Sequence, residues 1–120
     1  MDGIFRMKKA LSTIRIREEI IMLNINQNIE GSRALLALSG RLDTVSAPQL
    51  DKTLQDVLPG VTALTLDLKE LDYISSAGLR SLLLAQKTMN RQGEMKLTNV
   101  NETILEIFEV TGFSGILTIE

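Results

Sequence analysis

From Leu23 onward the chain settles into a two-residue period. Leu23, Ile25, Gln27 and Ile29 fall on one side and Asn24, Asn26, Asn28 and Glu30 on the other, which predicts a half-buried strand. Gly31-Ser32 marks a turn, and the apolar run Ala34 to Leu38 predicts a second, more buried strand, paired to the first as a hairpin and ended by Gly40. The period then changes. Ser46-Ala47-Pro48-Gln49 has the form of a capping box with proline in the first turn, and Leu50, Leu54, Val57 and Leu58 follow at i, i+4, i+7 and i+8. A helix is predicted there, stopped by Pro59-Gly60. Leu64, Leu66 and Leu68 alternate with Thr65 and Asp67, so Ala63 to Leu68 is a third strand. Ile74-Ser75-Ser76-Ala77-Gly78 leads into Leu79, Leu82, Leu83 and Met89, a second helix running to Gly93. Met95 to Thr98 reads as a fourth strand. Asn101 is placed to cap a third helix carrying Ile104, Ile107 and Phe108 and closed by Gly112, and Ile116 to Ile119 ends the chain as a strand.

The element order is ββαβαβαβ. Strands that alternate with helices need crossover connections, so the expected class is α/β, a mixed sheet with helices packed against it. The first 21 residues stand apart, because Arg6, Lys8, Lys9, Arg15 and Arg17 crowd together and the apolar spacing becomes irregular. Ile4, Met7, Leu11 and Ile14 still fall at helical spacing. A basic amphipathic helix touching a membrane or a partner is one reading. A docking or fraying terminus, or an upstream start preceding a natural one at Met22, are the others. The expected division is a basic extension over residues 1–21 and one domain over 22–120.

Composition narrows the function. A chain of 120 residues with 44% hydrophobic and 23% charged side chains suits one folded domain. Its longest apolar run, Ala34 to Leu38, is far short of the roughly 20 residues that span a bilayer, so no integral membrane segment is expected. Cys and His are both absent, which removes disulfides, thiol nucleophiles, the usual zinc ligand sets and Ser-His-Asp triads. No metal or cofactor is expected. A net charge of -2 and four scattered aromatics offer neither a field nor a stacking platform for nucleic acid. Without a secretory leader in the sequence, the cytoplasm is the expected compartment.

Candidate chemistry concentrates in Leu71-Asp72-Tyr73-Ile74-Ser75-Ser76-Ala77-Gly78-Leu79-Arg80, where a strand end passes through two hydroxyls into a helix start. One serine is accounted for as the helix cap. The other is surplus, and beside free N–H groups at the positive end of a helix dipole it could carry a phosphate. Gly78 costs about 1 kcal/mol of helix propensity relative to Ala, so close approach of another backbone is expected, either the sheet's own strand or a partner lying over the helix start. Arg80 is either a counter-charge for a phosphate or a solvated side chain. Asp67, Glu70 and Asp72 read as a solvated loop, and no Gly-x-x-x-x-Gly-Lys phosphate loop is present.

This segment resembles the signature of STAS-domain proteins, in particular the small bacterial anti-sigma-factor antagonists. Two further stretches share the resemblance: Gly40-Arg41-Leu42-Asp43-Thr44-Val45-Ser46-Ala47-Pro48-Gln49-Leu50, similar to the family's Gly-x-Leu-Asp entry into its first helix, and Val110-Thr111-Gly112-Phe113, similar to its late hydrophobic-x-Gly-hydrophobic element. It covers about Met22 to the C-terminus. The resemblance implies the STAS fold and a non-enzymatic switch in phosphorylation-controlled partner exchange, serving transcription regulation in a stress response. The unphosphorylated antagonist would bind an anti-sigma factor that is also a serine kinase, freeing the sigma factor. Phosphorylation would release it, and a serine phosphatase would reset it. The implied phosphoacceptor is Ser76, with Ser75 second. The implied partner-binding residues are Asp43, Thr44, Gly78, Leu79 and Arg80, with turn or cap duty the alternative for Asp43. A homodimer is left open. Where the family often has Asp-Ser-Ser-Gly-Leu or Asp-Ser-Thr-Gly-Leu, this chain has Ser75-Ser76-Ala77-Gly78-Leu79, so Ser75 takes the acidic place and Ala77 lacks a hydroxyl. The alternative function is a non-phosphorylated STAS interaction subunit of a lipid-transport or stress-sensing complex.

Overall fold

The computed structural model describes residues 23–120, and the basic extension, together with Met22, lies outside the described residues. Strand β1 (Leu23–Glu30) turns through Gly31, whose φ is +60°, into the antiparallel strand β2 (Arg33–Leu42). Helix α1 (Ala47–Val57) crosses to β3 (Ala63–Ile74), and α2 (Ser76–Gln92) crosses to β4 (Glu94–Thr98). Both crossovers give parallel pairs, so the sheet order is β1-β2-β3-β4 with one antiparallel and two parallel ladders. Helix α3 (Glu102–Thr111) and a short 3-10 turn (Phe113–Gly115) follow. The mixed α/β architecture and the order of elements are those expected from the sequence.

The core is one leucine-rich layer under the helices. Leu36, Leu38, Leu64, Leu66, Leu68 and Leu97 from the sheet meet Leu50, Leu82, Met89, Ile104 and Phe108 from the helices, all fully or almost fully buried. Burying such side chains contributes about 1.5–3 kcal/mol each, and this burial, not helix propensity, holds the short helices in place.

Three boundaries differ from the sequence expectation, each for a visible reason. Gly40 does not end β2; it sits inside the strand with φ +97° where the pairing shifts. β3 does not stop at Leu68 but continues to Ile74, because two irregularities each insert an extra residue on its side: Ala37 and Ser39 face Asp67 and Glu70, and Gly40 and Arg41 face Leu71 and Tyr73. Each bulge breaks the alternation on which a strand reading depends. The closing strand expected over 116–119 is reduced to one parallel bridge, Leu97 to Ile119, held by Leu97 N–H donating to the Thr118 carbonyl and Glu120 N–H to that of Leu97.

Candidate functional site

The parallel strands β2 and β3 end level, with Leu42 beside Ile74, and each feeds a helix from the same rim of the sheet. Carboxyl ends of parallel strands, where helices begin, are where α/β sheets build their sites. All the site residues expected from the sequence lie on these two junctions.

At the first junction Asp43 organises a closed turn. Its Oδ1 accepts from the backbone N–H of Val45 at 3.0 Å and of Ser46 at 3.1 Å, and Oδ2 lies 3.6 Å from Arg41 Nε. The Asp43 side chain is only 14% exposed. Its carboxyl is held below the ordinary carboxylate value, chiefly by the hydrogen bond from the Ser46 backbone; desolvation opposes this, and the Ser46 hydroxyl, Val45 N–H and the Arg41 charge each lower it further. The capping box does not form. Ser46 is the residue before the first turn of α1, but its hydroxyl turns inward, accepting from Asp43 N–H at 2.9 Å and donating to the Arg41 carbonyl at 2.7 Å. Gln49, its expected reciprocal partner, donates instead to the Leu23 carbonyl at 3.2 Å and ties α1 to β1. The Gln49 N–H that a capping box would engage donates instead to the Ser46 carbonyl at 3.0 Å, and the Ser46 hydroxyl braces the strand end. Thr44 and Val45 remain on the surface, Val45 with 71% exposure.

The second junction is built differently. Ser75 N–H donates to the Leu42 carbonyl at 2.9 Å, fixing the chain to the end of β2, and Ser75 Oγ accepts from Gly78 N–H at 3.4 Å as the cap of α2. Ser76 is the first helical residue, exposed, and its hydroxyl makes no hydrogen bond to another described residue. Capping therefore uses Ser75 and leaves Ser76 as the surplus hydroxyl.

Gly78 is buried, and a Cβ there would stand 2.7 Å from Leu42 Cγ, 2.8 Å from the Leu42 carbonyl oxygen and 2.9 Å from Ile74 Cγ1. The close approach that its presence called for is to the sheet's own strand ends. Leu79 is buried beside it, so of the three residues after Ala77 only Arg80 is presented to solvent.

Two residues without an assigned role in the sequence reading complete the rim. Arg41 and Tyr73 are partners across the β2–β3 ladder, and the guanidinium carbon lies 4.4 Å from the centre of the Tyr73 ring. The pair is 32 positions apart in sequence and meets only through a parallel register that two bulges adjust, so no local pattern signals it. Arg41 thus links the two junctions, with Asp43 on one side and Tyr73 on the other. Among the described residues no cluster of three or more His, Cys, Asp or Glu side chains is gathered to hold a metal ion, and no helix is long and apolar enough to cross a membrane.

Known proteins share both the sequence and the shape of this chain. It is 39% identical over 87 residues to the putative anti-sigma factor antagonist BtrV of Bordetella bronchiseptica, a match covering 71% of this chain and 75% of BtrV. It is 33% identical over 86 residues to the anti-sigma-B factor antagonist of Listeria monocytogenes, covering 69% of this chain and 75% of that one. Among solved structures, the anti-sigma factor antagonist from Mycobacterium paratuberculosis superposes with a TM-score of 0.73 at 18% identity, covering 81% of this chain and 84% of the other. That likeness speaks for the fold. The STAS_2 family, described as "Mlab, STAS domain", matches residues 25–118, a span that takes in the β2 and β3 ends, both junctions and the 3-10 turn. The chain belongs to the STAS domain family.

Proposed function

We propose that this chain is an anti-sigma-factor antagonist whose rim, in the unphosphorylated state, binds an anti-sigma factor that is also a serine kinase, thereby freeing the sigma factor. Phosphorylation of Ser76 releases the complex, and a serine phosphatase restores it. The observation that carries this reading is the division of labour between the two serines. Ser75 is spent on the Gly78 N–H, while Ser76 is exposed in the first turn with no described partner. The names of the relatives support the antagonist role.

The physical mechanism needs no change of shape. A phosphate on Ser76 adds about -1.5 to -2 charges at neutral pH. Burying that charge against a partner surface without a cation costs several kcal/mol, and each ~1.4 kcal/mol is a tenfold loss of affinity. Val45, Thr44, Tyr73 and Arg80 are exposed around the two junctions and give a partner something to grip. Asp43 contributes by holding the turn that presents Val45 and Thr44.

The test is intact-mass and peptide mass spectrometry of the protein isolated from its native host, with and without phosphatase treatment. The expected result is one phosphate, mapped to Ser76 and absent from Ser76→Ala, which keeps its partner. Ser76→Asp should bind that partner at least tenfold more weakly. Unchanged affinity for Ser76→Asp would remove the rim from the interface, and a protein unmodified under several stresses would favour a constitutive interaction subunit in which both serines only shape the helix start.

A further inference from the structure

Helices α2 and α3 carry opposite and unmixed charge. α2 holds Arg80, Lys87 and Arg91 and no carboxylate, whereas α3 holds Glu102, Glu106 and Glu109 and no cation. All six side chains are exposed, and none forms an ion pair with another described residue. Helix α1 shows the usual alternative, closing its own i,i+4 pair between Lys52 and Asp56 at 3.9 Å. Each of the other two instead sets like charges one turn apart, Lys87 with Arg91 and Glu102 with Glu106, an arrangement that is mildly unfavourable for an isolated helix. Each also exposes one large apolar side chain next to its charges: Leu84, 51% exposed, and Val110, 80% exposed.

The two faces match in register when laid antiparallel. Both helices rise about 1.5 Å per residue, so setting Arg91 against Glu102 places Lys87 against Glu106 at the same four-residue spacing. Leu84, seven residues before Arg91, then faces Val110, eight residues after Glu102, an offset of only one residue. We propose that the α2 face of one copy of this chain docks antiparallel on the α3 face of a second copy, with Arg91–Glu102 and Lys87–Glu106 ion pairs flanking a Leu84–Val110 contact. The charge complementarity selects this occupant, since both halves of the match are written in the same chain and neither is satisfied within it among the described residues. A lipid surface fits less well, because the cationic face of α2 offers one large exposed apolar side chain and no apolar stripe.

Exposed ion pairs are screened by salt, so the association is weak and is read at high protein concentration and low ionic strength. The experiment is sedimentation velocity of the full chain over a concentration series, at about 20 mM and about 500 mM salt. The expected result is reversible association at low salt that high salt weakens at least tenfold. The double variant Lys87→Glu/Arg91→Glu should remain monomeric, as should Glu102→Lys/Glu106→Lys, while an equimolar mixture of the two associates again, because each restores the other's lost pairs. Far-UV circular dichroism and a urea midpoint check that these surface variants fold. Should either fail to fold, Lys87→Gln/Arg91→Gln provides the same readout, with association weakened at least tenfold. A single monomer mass for the wild type throughout the series overturns the proposal, as does self-association of the reversed variants equal to wild type, or a mixture that fails to associate. A monomer that instead binds vesicles rich in anionic lipid through α2 also overturns it.

Discussion

The two strand-to-helix junctions at the rim of the sheet solve one problem in opposite ways. Between β2 and α1, a carboxylate and a hydroxyl are both consumed: Asp43 accepts from two backbone N–H groups, and Ser46 braces the strand end. Between β3 and α2, one hydroxyl suffices, and the neighbouring one projects into solvent. An inward-turned group can be modified only by unfolding the turn, whereas Ser76 can be modified without disturbing any described contact. The difference teaches where a switch can sit: on the junction with a spare group, next to one that holds its shape. Substitutions can break or sharpen this contrast.

The largest effect is expected at Gly78. A methyl group there would meet Leu42 Cγ, the Leu42 carbonyl oxygen and Ile74 Cγ1, all within 2.9 Å. Gly78→Ala should therefore overpack the second junction and cost about 1–3 kcal/mol in urea unfolding. A neutral result would show that the helix start can lift away from the strand ends. Next comes the pair of serines. Ser75→Ala removes the cap and should lose about 0.5–1 kcal/mol, while Ser76→Ala should stay within about 0.5 kcal/mol of wild type. Equal losses would undo the division of labour on which the proposed function rests.

The smallest effect is expected from Asp43, and it depends on pH. Its folded carboxyl titrates below the ordinary value of 3.8, so the ionised form stabilises the fold fully above that value and the contribution is lost as pH falls through the depressed one. Asp43→Asn keeps an acceptor oxygen but cannot titrate. In unfolding experiments stepped downward from about pH 5, the wild type should therefore lose stability relative to Asp43→Asn. Parallel curves would assign the turn to geometry alone.

Much of this contrast is legible in the sequence, and the exceptions share a cause. Asn101 and Gly112 act where local pattern places them: Asn101 accepts from Ile104 N–H at 2.9 Å, and Gly112 closes α3 with φ +84°. Such motifs involve neighbours within four positions, so the chain alone contains them. Ser46 misleads because the Gln49 N–H that its hydroxyl would accept donates to the Ser46 carbonyl instead, and the hydroxyl finds its partners earlier in the chain, at Asp43 N–H and the Arg41 carbonyl. The true length of β3, the place of Gly40 within β2 and the stacking of Arg41 on Tyr73 depend on which strands become neighbours and in what register, which no local window holds. The surplus of one serine is visible in the sequence; which serine is surplus needs the backbone.

The bulges in β3 have a consequence for how such a chain can change over generations. β2 and β3 start level at Arg33 and Ala63 and end level at Leu42 and Ile74, yet one uses 10 residues and the other 12. The two extra residues are what bring Ser75 and Ser76 to the same rim as Asp43. Point substitutions at the exposed positions Lys69, Glu70 and Asp72 leave that count intact, but deletion of a single residue among them would turn Leu71 and Ile74 outward or draw the second junction back from the first. Lineages descending from this sequence are thus free to vary the letters of that stretch, and held to its length.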